Sequence, residues 1–82
     1  MMVEIQEILE DLSSIESDNT VPKNVRIRIK NAIDILTNEK ETNVAIKIDK
    51  SLEQLGDVAD DPNLPQYTRM QIWTVVSQLE GK

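Results

Sequence analysis

The chain has 82 residues, too few for a second core when domains run to roughly 100–200 residues, and its formal charge of −6 argues against non-specific binding to nucleic acid or to an anionic membrane surface. It contains no Cys and no His, which removes disulfides, thiolate nucleophiles, zinc–thiolate sites, imidazole bases and the one unperturbed side-chain switch near neutral pH. Aromatic residues make up 2% of the chain and there are only two Gly, so an apolar set of Ile, Leu and Val points to packed helices and an all-α fold.

The first predicted helix carries Met1, Ile5, Ile8, Leu9, Leu12 and Ile15 at i, i+3, i+4, i+7 spacing, a stripe about 140° wide at about 100° per residue. The segment Met1–Thr20 holds Glu4, Glu7, Glu10, Asp11, Glu16 and Asp18 with no basic residue. A loop over Glu16–Val21 follows, and Pro22 marks the next helix start, because a residue without an N–H is best tolerated in a first turn. That second helix has an apolar face of Val25, Ile29, Ala32, Ile33 and Leu36. It inverts the charge, with Lys23, Arg26, Arg28 and Lys30 against Asp34 alone, so the first two helices are expected to neutralise each other. Asn38 is a candidate left-handed stop, and Glu39–Asn43 connects to a third helix with the stripe Val44, Ile48, Leu52, Leu55 and Val58. Gly56 is expected to end or loosen that helix. After the loop Asp57–Leu64, Pro65 starts a fourth helix with Ile72, Val75, Val76 and Leu79 on its inner face, stopped at Gly81.

These elements repeat at a constant offset of 43 residues. Ile5, Leu9, Glu10 and Leu12 recur as Ile48, Leu52, Glu53 and Leu55; Asp18, Pro22 and Arg26 recur as Asp61, Pro65 and Arg69; Ile29 and Leu36 recur as Ile72 and Leu79. Amphipathic periodicity alone produces some such matches, but the loop pairs Asp18/Asp61 and Pro22/Pro65 lie outside it. The expected organisation is a single domain over 1–82, made of hairpins 1–39 and 44–82. Two paired-helix units are too few for a solenoid. They should close into an up-and-down four-helix bundle, with Leu9, Leu12, Ile29, Ile33, Leu52, Leu55, Ile72 and Val76 meeting in one core. A bundle this small buries only about 60% of its unfolded surface, leaving about 5,000 Å² exposed, so a partner would be a welcome addition.

The acidic first helix "EIQEILEDL", the segment "VPKNVRIRIKNAIDIL" and the later "DPNLPQYTRMQIWTVVSQLE" resemble the short archaeal proteins of uncharacterised protein family 0147. The resemblance spans nearly the whole chain and implies a bromodomain-like four-helix bundle in an archaeal cytoplasm. It carries over no activity, cofactor or catalytic residue. The acidic N-terminus also lacks the uncharged apolar run of a secretory signal, and no stretch reaches the roughly 20 apolar residues of a membrane span. A cytoplasmic location is the simplest expectation.

Four constellations compete for function. Glu4, Glu7, Glu10 and Asp11 are spaced like the acids of magnesium-dependent nucleotide pyrophosphatases, but they lie away from the apolar stripe and read as a solvated face. Asp57, Asp60, Asp61 and Asn63 lack the alternating acids, central Gly and terminal Glu of a calcium loop. No metal site, cofactor or specific small molecule is therefore expected. Arg26 and Arg69 are the basic pair kept by the repeat; each should reach Asp18, Asp61 or an acid on a facing helix and fix a loop, with anion binding as the alternative. The run "RIRIK" puts Lys23, Arg26 and Lys30 on one side of the second helix, the basis of a possible RNA- or ribosome-associated role, although no aromatic is interleaved with it.

The fourth helix breaks the repeat. With Ile72 inward, Trp73 projects about 100° away, Met70 about 160°, and Tyr67 about 140° in the other sense. Their counterparts are Lys30, Ile27 and Asn24. Trp and Tyr make good interface anchors, so Tyr67, Met70, Trp73 and Thr74 form a candidate contact surface, for a homodimer or a protein partner. The plainer alternative is that Trp73 caps the core, and off-stripe Val3, Ile46 and Ile27 add modestly to the exposed patch. The sequence thus favours a non-catalytic interaction module. An RNA-binding accessory using the second helix and a carboxylate–metal enzyme are the alternatives.

Overall fold

Residues 5–81 are described by a computed structural model, which contains four helices and, among the described residues, no strand. They are α1 (Ile5–Glu16), α2 (Lys23–Leu36), α3 (Val44–Ala59) and α4 (Gln66–Leu79). Expectations for Met1, Val3 and Glu4 fall outside the described residues. Helices α1 and α2 pack together, α2 packs on α3, α3 on α4, and α4 returns to α1, whereas the backbones of α1/α3 and α2/α4 stand more than 8 Å apart, Cα to Cα, among the described residues. This closed order is the up-and-down four-helix arrangement. Its exposed surface of 5304 Å² is close to the value expected for a compact chain of this mass.

The start of each helix has a local cause. Pro22 (φ −55°, ψ 144°) and Pro65 (φ −57°, ψ 143°) stand one residue before α2 and α4 with nearly identical extended backbones. Asn43 caps α3 through its side-chain oxygen, which accepts from the N–H groups of Ala45 at 3.0 Å and Ile46 at 3.4 Å. The ends differ from the sequence reading in two places. Gly81 does take the left-handed conformation, at φ 75°, but no non-Gly residue among those described has positive φ, so Asn38 does not. Thr37 closes α2 instead, donating its hydroxyl to Ile33 O at 2.8 Å, while Asn38 Oδ1 accepts from Lys40 N–H at 3.0 Å. Gly56 is no stop either: α3 runs through it to Ala59, taking Asp57 out of the loop. The buried Val58 and Ala59 hold that last turn against the core, and packing overrides a weak propensity.

Ile8, Leu12, Ile15, Val21, Val25, Ile29, Ala32 and Leu36 are all buried. So is the residue 43 positions after each: Ser51, Leu55, Val58, Leu64, Thr68, Ile72, Val75 and Leu79. Ala59 and Val76 complete the core. Of the expected centre, Leu12, Ile29, Leu55, Ile72 and Val76 are buried, but Leu9, Ile33 and Leu52 are half-buried against its edge. Val44, assigned to the α3 stripe, is 56% exposed, because the first turn of α3 extends past the core.

Two of the eight pairs exchange an alkyl group for a hydroxyl, Ile8 for Ser51 and Val25 for Thr68. The Ser51 Oγ is buried without a hydrogen-bond partner. A buried unpaired hydroxyl opposes folding, so α3 contributes less at that layer than α1 does.

Candidate interaction surfaces

The corner loops position the surface residues, and their bonds recur at the same offset as the core. In the first loop Asp18 N–H donates to Ile15 O at 3.1 Å, Val21 N–H to Asp18 O at 3.1 Å, and Thr20 N–H to Asp18 Oδ1 at 2.9 Å. In the second, Asp61 N–H donates to Val58 O at 3.0 Å, Leu64 N–H to Asp61 O at 3.2 Å, and Asn63 N–H to Asp61 Oδ1 at 2.8 Å. Each Asp side chain thus folds back on its own loop, the Asx-turn geometry that explains why an Asp stands there. Asn24 Nδ2 on α2 also donates to Asp61 Oδ2 at 3.1 Å, tying the second loop to the start of α2. The Thr20 hydroxyl, 2.7 Å from Asp18 Oδ1, and then the Thr20 N–H hold the Asp18 carboxyl below its ordinary range; slight burial opposes this and the Arg26 charge adds to it.

The repeated arginines fix these loops, though not through carboxylates. Arg26 Nε donates to Val21 O at 3.1 Å, and Arg69 Nη2 donates to Asp61 O at 2.8 Å. The Asp carboxylates accept from Thr20, Asn63 and Asn24, while each arginine donates to a backbone carbonyl of its own loop. Arg69 keeps a buried Nε without a partner. Between α1 and α2 no direct ion pair forms among the described residues. Among the described residues the ion pairs are Arg28–Asp57 at 3.4 Å, between α2 and α3, and Lys30–Asp34 at 4.0 Å, within α2. All four side chains are largely exposed, so neither pair contributes much to stability.

On α4 the inner face takes Thr68, Ile72, Val75, Val76 and Leu79. The outer face carries Tyr67 at 72% exposure, Met70 at 63% and Trp73 at 50%. Trp73 is therefore half in solvent, with the rest of its side chain covered by the protein. Thr74 is exposed beside them, its hydroxyl satisfied by Met70 O at 3.0 Å. Within Gln66–Leu79 the one charged residue is Arg69, and it is turned back onto its loop. The outer face of α4 consequently presents aromatic, thioether and amide groups with no outward charge.

The corresponding place on α2 has the opposite character. Glu16, Lys23, Arg26, Ile27 and Lys30 line an open groove of about 180 Å³. Their counterparts 43 residues on are Ala59, Gln66, Arg69, Met70 and Trp73. The sequence placed the three cations on one side of α2. It did not show that Glu16 from α1 closes the groove, since that requires the α1/α2 packing. The acids of α1 do not converge: Glu7 and Glu10 are exposed and Asp11 half-buried. No group of three or more metal-ligating side chains occurs among the described residues. No described helix is long and apolar enough to cross a membrane.

The chain is similar to archaeal proteins in sequence and to two crystal structures in fold. It is 43% identical to a protein of Methanosarcina mazei over 93% of this chain and 81% of that one, and 40% identical to a protein of Archaeoglobus fulgidus over 93% and 85%. The crystal structure of a Thermoplasma acidophilum protein superposes with a TM-score of 0.87 at 32% identity, covering 94% of this chain and 89% of that one. The crystal structure of MMP1188, a protein of unknown function, does so with a TM-score of 0.89 at 37% identity, covering 95% and 88%. The relatives and the Thermoplasma structure carry a single family designation; residues 2–81 match it too, and the chain belongs to the uncharacterised protein family UPF0147.

Proposed function

We propose that this protein is a cytoplasmic, non-catalytic interaction module, built from two copies of one helical hairpin, that self-associates through the outer face of α4. The observation that carries the reading is the row of Tyr67, Met70 and Trp73, each at least half exposed on a helix whose single charge is turned away. A second copy is the proposed occupant, since an uncharged face limits the repulsion between like chains. Two chains of −6 repel each other, and the α4 face lets them meet without opposing like charges directly. The absence of Cys and His supports a non-catalytic role, because general acid–base and nucleophilic chemistry most often rely on them. Duplication is supported by the matched loop bonds and the eight matched buried pairs.

Light scattering tests the assembly. The wild-type chain should be a dimer burying at least about 1,000 Å² in total, and Met70→Lys should yield a folded monomer with more solvent-quenched Trp73 fluorescence. A wild-type monomer over the micromolar range, or a folded Met70→Lys variant of unchanged mass, would sink the reading.

A further inference from the structure

The α2 groove carries charge that the fold does not use, and the other hairpin shows this directly. Both hairpins keep the arginine that bonds the loop backbone, Arg26 and Arg69. At the flanking positions the second hairpin has Gln66 and Trp73 where the first has Lys23 and Lys30. The same corner therefore folds without either lysine. Lys23 makes no hydrogen bond or ion pair among the described residues, and Lys30 makes only the exposed 4.0 Å contact to Asp34.

The two arginines also use their forks differently. Arg69 spends a terminal nitrogen on the loop and leaves its Nε buried and unpartnered. Arg26 spends its Nε, and its two Nη groups donate to no described residue. A guanidinium held by Nε with both Nη groups unspent is oriented for a planar, bidentate oxyanion. Lys23 and Lys30 stand one turn to either side of it on the same helix face, at i−3 and i+4. Half-exposed Ile27 forms an apolar lining between them, and an apolar wall lowers the local dielectric and strengthens ion contacts. Glu16 is the single acid in the lining against these three cations.

We infer that the groove of Lys23, Arg26 and Lys30 is a binding site for a phosphate group, carried either by a small phosphomonoester or by the backbone of RNA. This site is separate from the α4 face, so its failure leaves the self-association reading untouched. The chain's overall negative charge restricts the contact to this one patch and makes it salt-sensitive.

The full-length protein should be titrated by two-dimensional amide NMR with inorganic phosphate, adenosine 5′-monophosphate and a short uridine oligonucleotide, at constant ionic strength. Saturable shifts are expected at Lys23, Arg26, Ile27 and Lys30 with at least one probe. The double variant Lys23→Gln, Lys30→Gln, melting as wild type does, should bind that probe about tenfold or more weakly. A response to both phosphate and the mononucleotide identifies a phosphomonoester. A response to the oligonucleotide alone identifies the RNA backbone, with a log–log salt slope of about −2 for three cations. Should the double variant melt lower, Lys23→Gln alone carries the test, because that side chain holds nothing in place. The inference is overturned if no probe gives saturable shifts on α2, or if binding survives the lysine substitutions unchanged.

Discussion

The corner between α1 and α2 and the corner between α3 and α4 are the same local structure bearing different surfaces. Three loop bonds and the proline geometries correspond residue by residue, and an arginine locks each loop, Arg26 on Val21 O and Arg69 on Asp61 O. Yet the first presents Lys23, Ile27 and Lys30, and the second presents Gln66, Met70 and Trp73. What the two corners share is what folding requires: a buried Val21 or Leu64, an Asx turn, a proline and an arginine on a carbonyl. What they do not share is free to serve binding. Each corner is thus a control for the other, with the same backbone and therefore the same geometric constraints.

The sharpest way to test the equivalence is in the core. Leu12 and Leu55 are counterparts and both are fully buried. Leu12→Ala and Leu55→Ala should each cost about 2–5 kcal/mol, most of the stability of so small a domain. Half-buried Leu52→Ala should cost clearly less, and denaturant titration would read all three. Equal losses at Leu52 and Leu55 would contradict the layering described above.

A smaller effect probes where the hairpins diverge inside. Ser51→Ala removes the buried unpartnered hydroxyl and should raise stability by about 1 kcal/mol, a rise of about 4–8 °C in the melting temperature. A loss would show that the hydroxyl finds a partner, and that the α3 layer is not the weaker one. Gly56→Ala should add about 0.5–1 kcal/mol, because Gly56 lies inside α3 with nothing within 4 Å of a new Cβ. A fall in melting temperature after that change would mean that the helix needs glycine there after all.

The smallest expected effect belongs to Asp18, whose carboxyl is held below its ordinary value of 3.8 by Thr20. A depressed folded-state pKa stabilises the protein above the unfolded value and is lost as pH falls through the folded one. With no His and no Cys, stability should stay flat between about pH 6 and 8. The Asp18 contribution should fade only below pH 3.8. Asp18→Asn should flatten that acid limb slightly, and acid titration followed by circular dichroism would detect a steeper or earlier change.

Helix number, the two proline starts, the offset of 43 residues and most inward faces follow from periodicity and punctuation in the sequence, which act over a few residues and need no knowledge of neighbours. The same holds for the apolar row on α4, because Tyr67, Met70 and Trp73 stand off the inward stripe where the first hairpin has Asn24, Ile27 and Lys30. Tertiary structure alone decided the rest. Gly56 stays helical because Val58 and Ala59 are buried beyond it. Ser51 and Thr68 are core residues because α3 and α4 place them where α1 and α2 place Ile8 and Val25, and no hydropathy pattern assigns a hydroxyl to an interior. Arg26 and Arg69 turn to the carbonyls of Val21 and Asp61, which the folded loops bring within reach. Trp73 stays half in solvent because Ile72, Val75 and Val76 already fill the space beneath α4. In each case the outcome depends on the partner or volume within reach, which is settled between elements and is not written in the periodicity of any one of them.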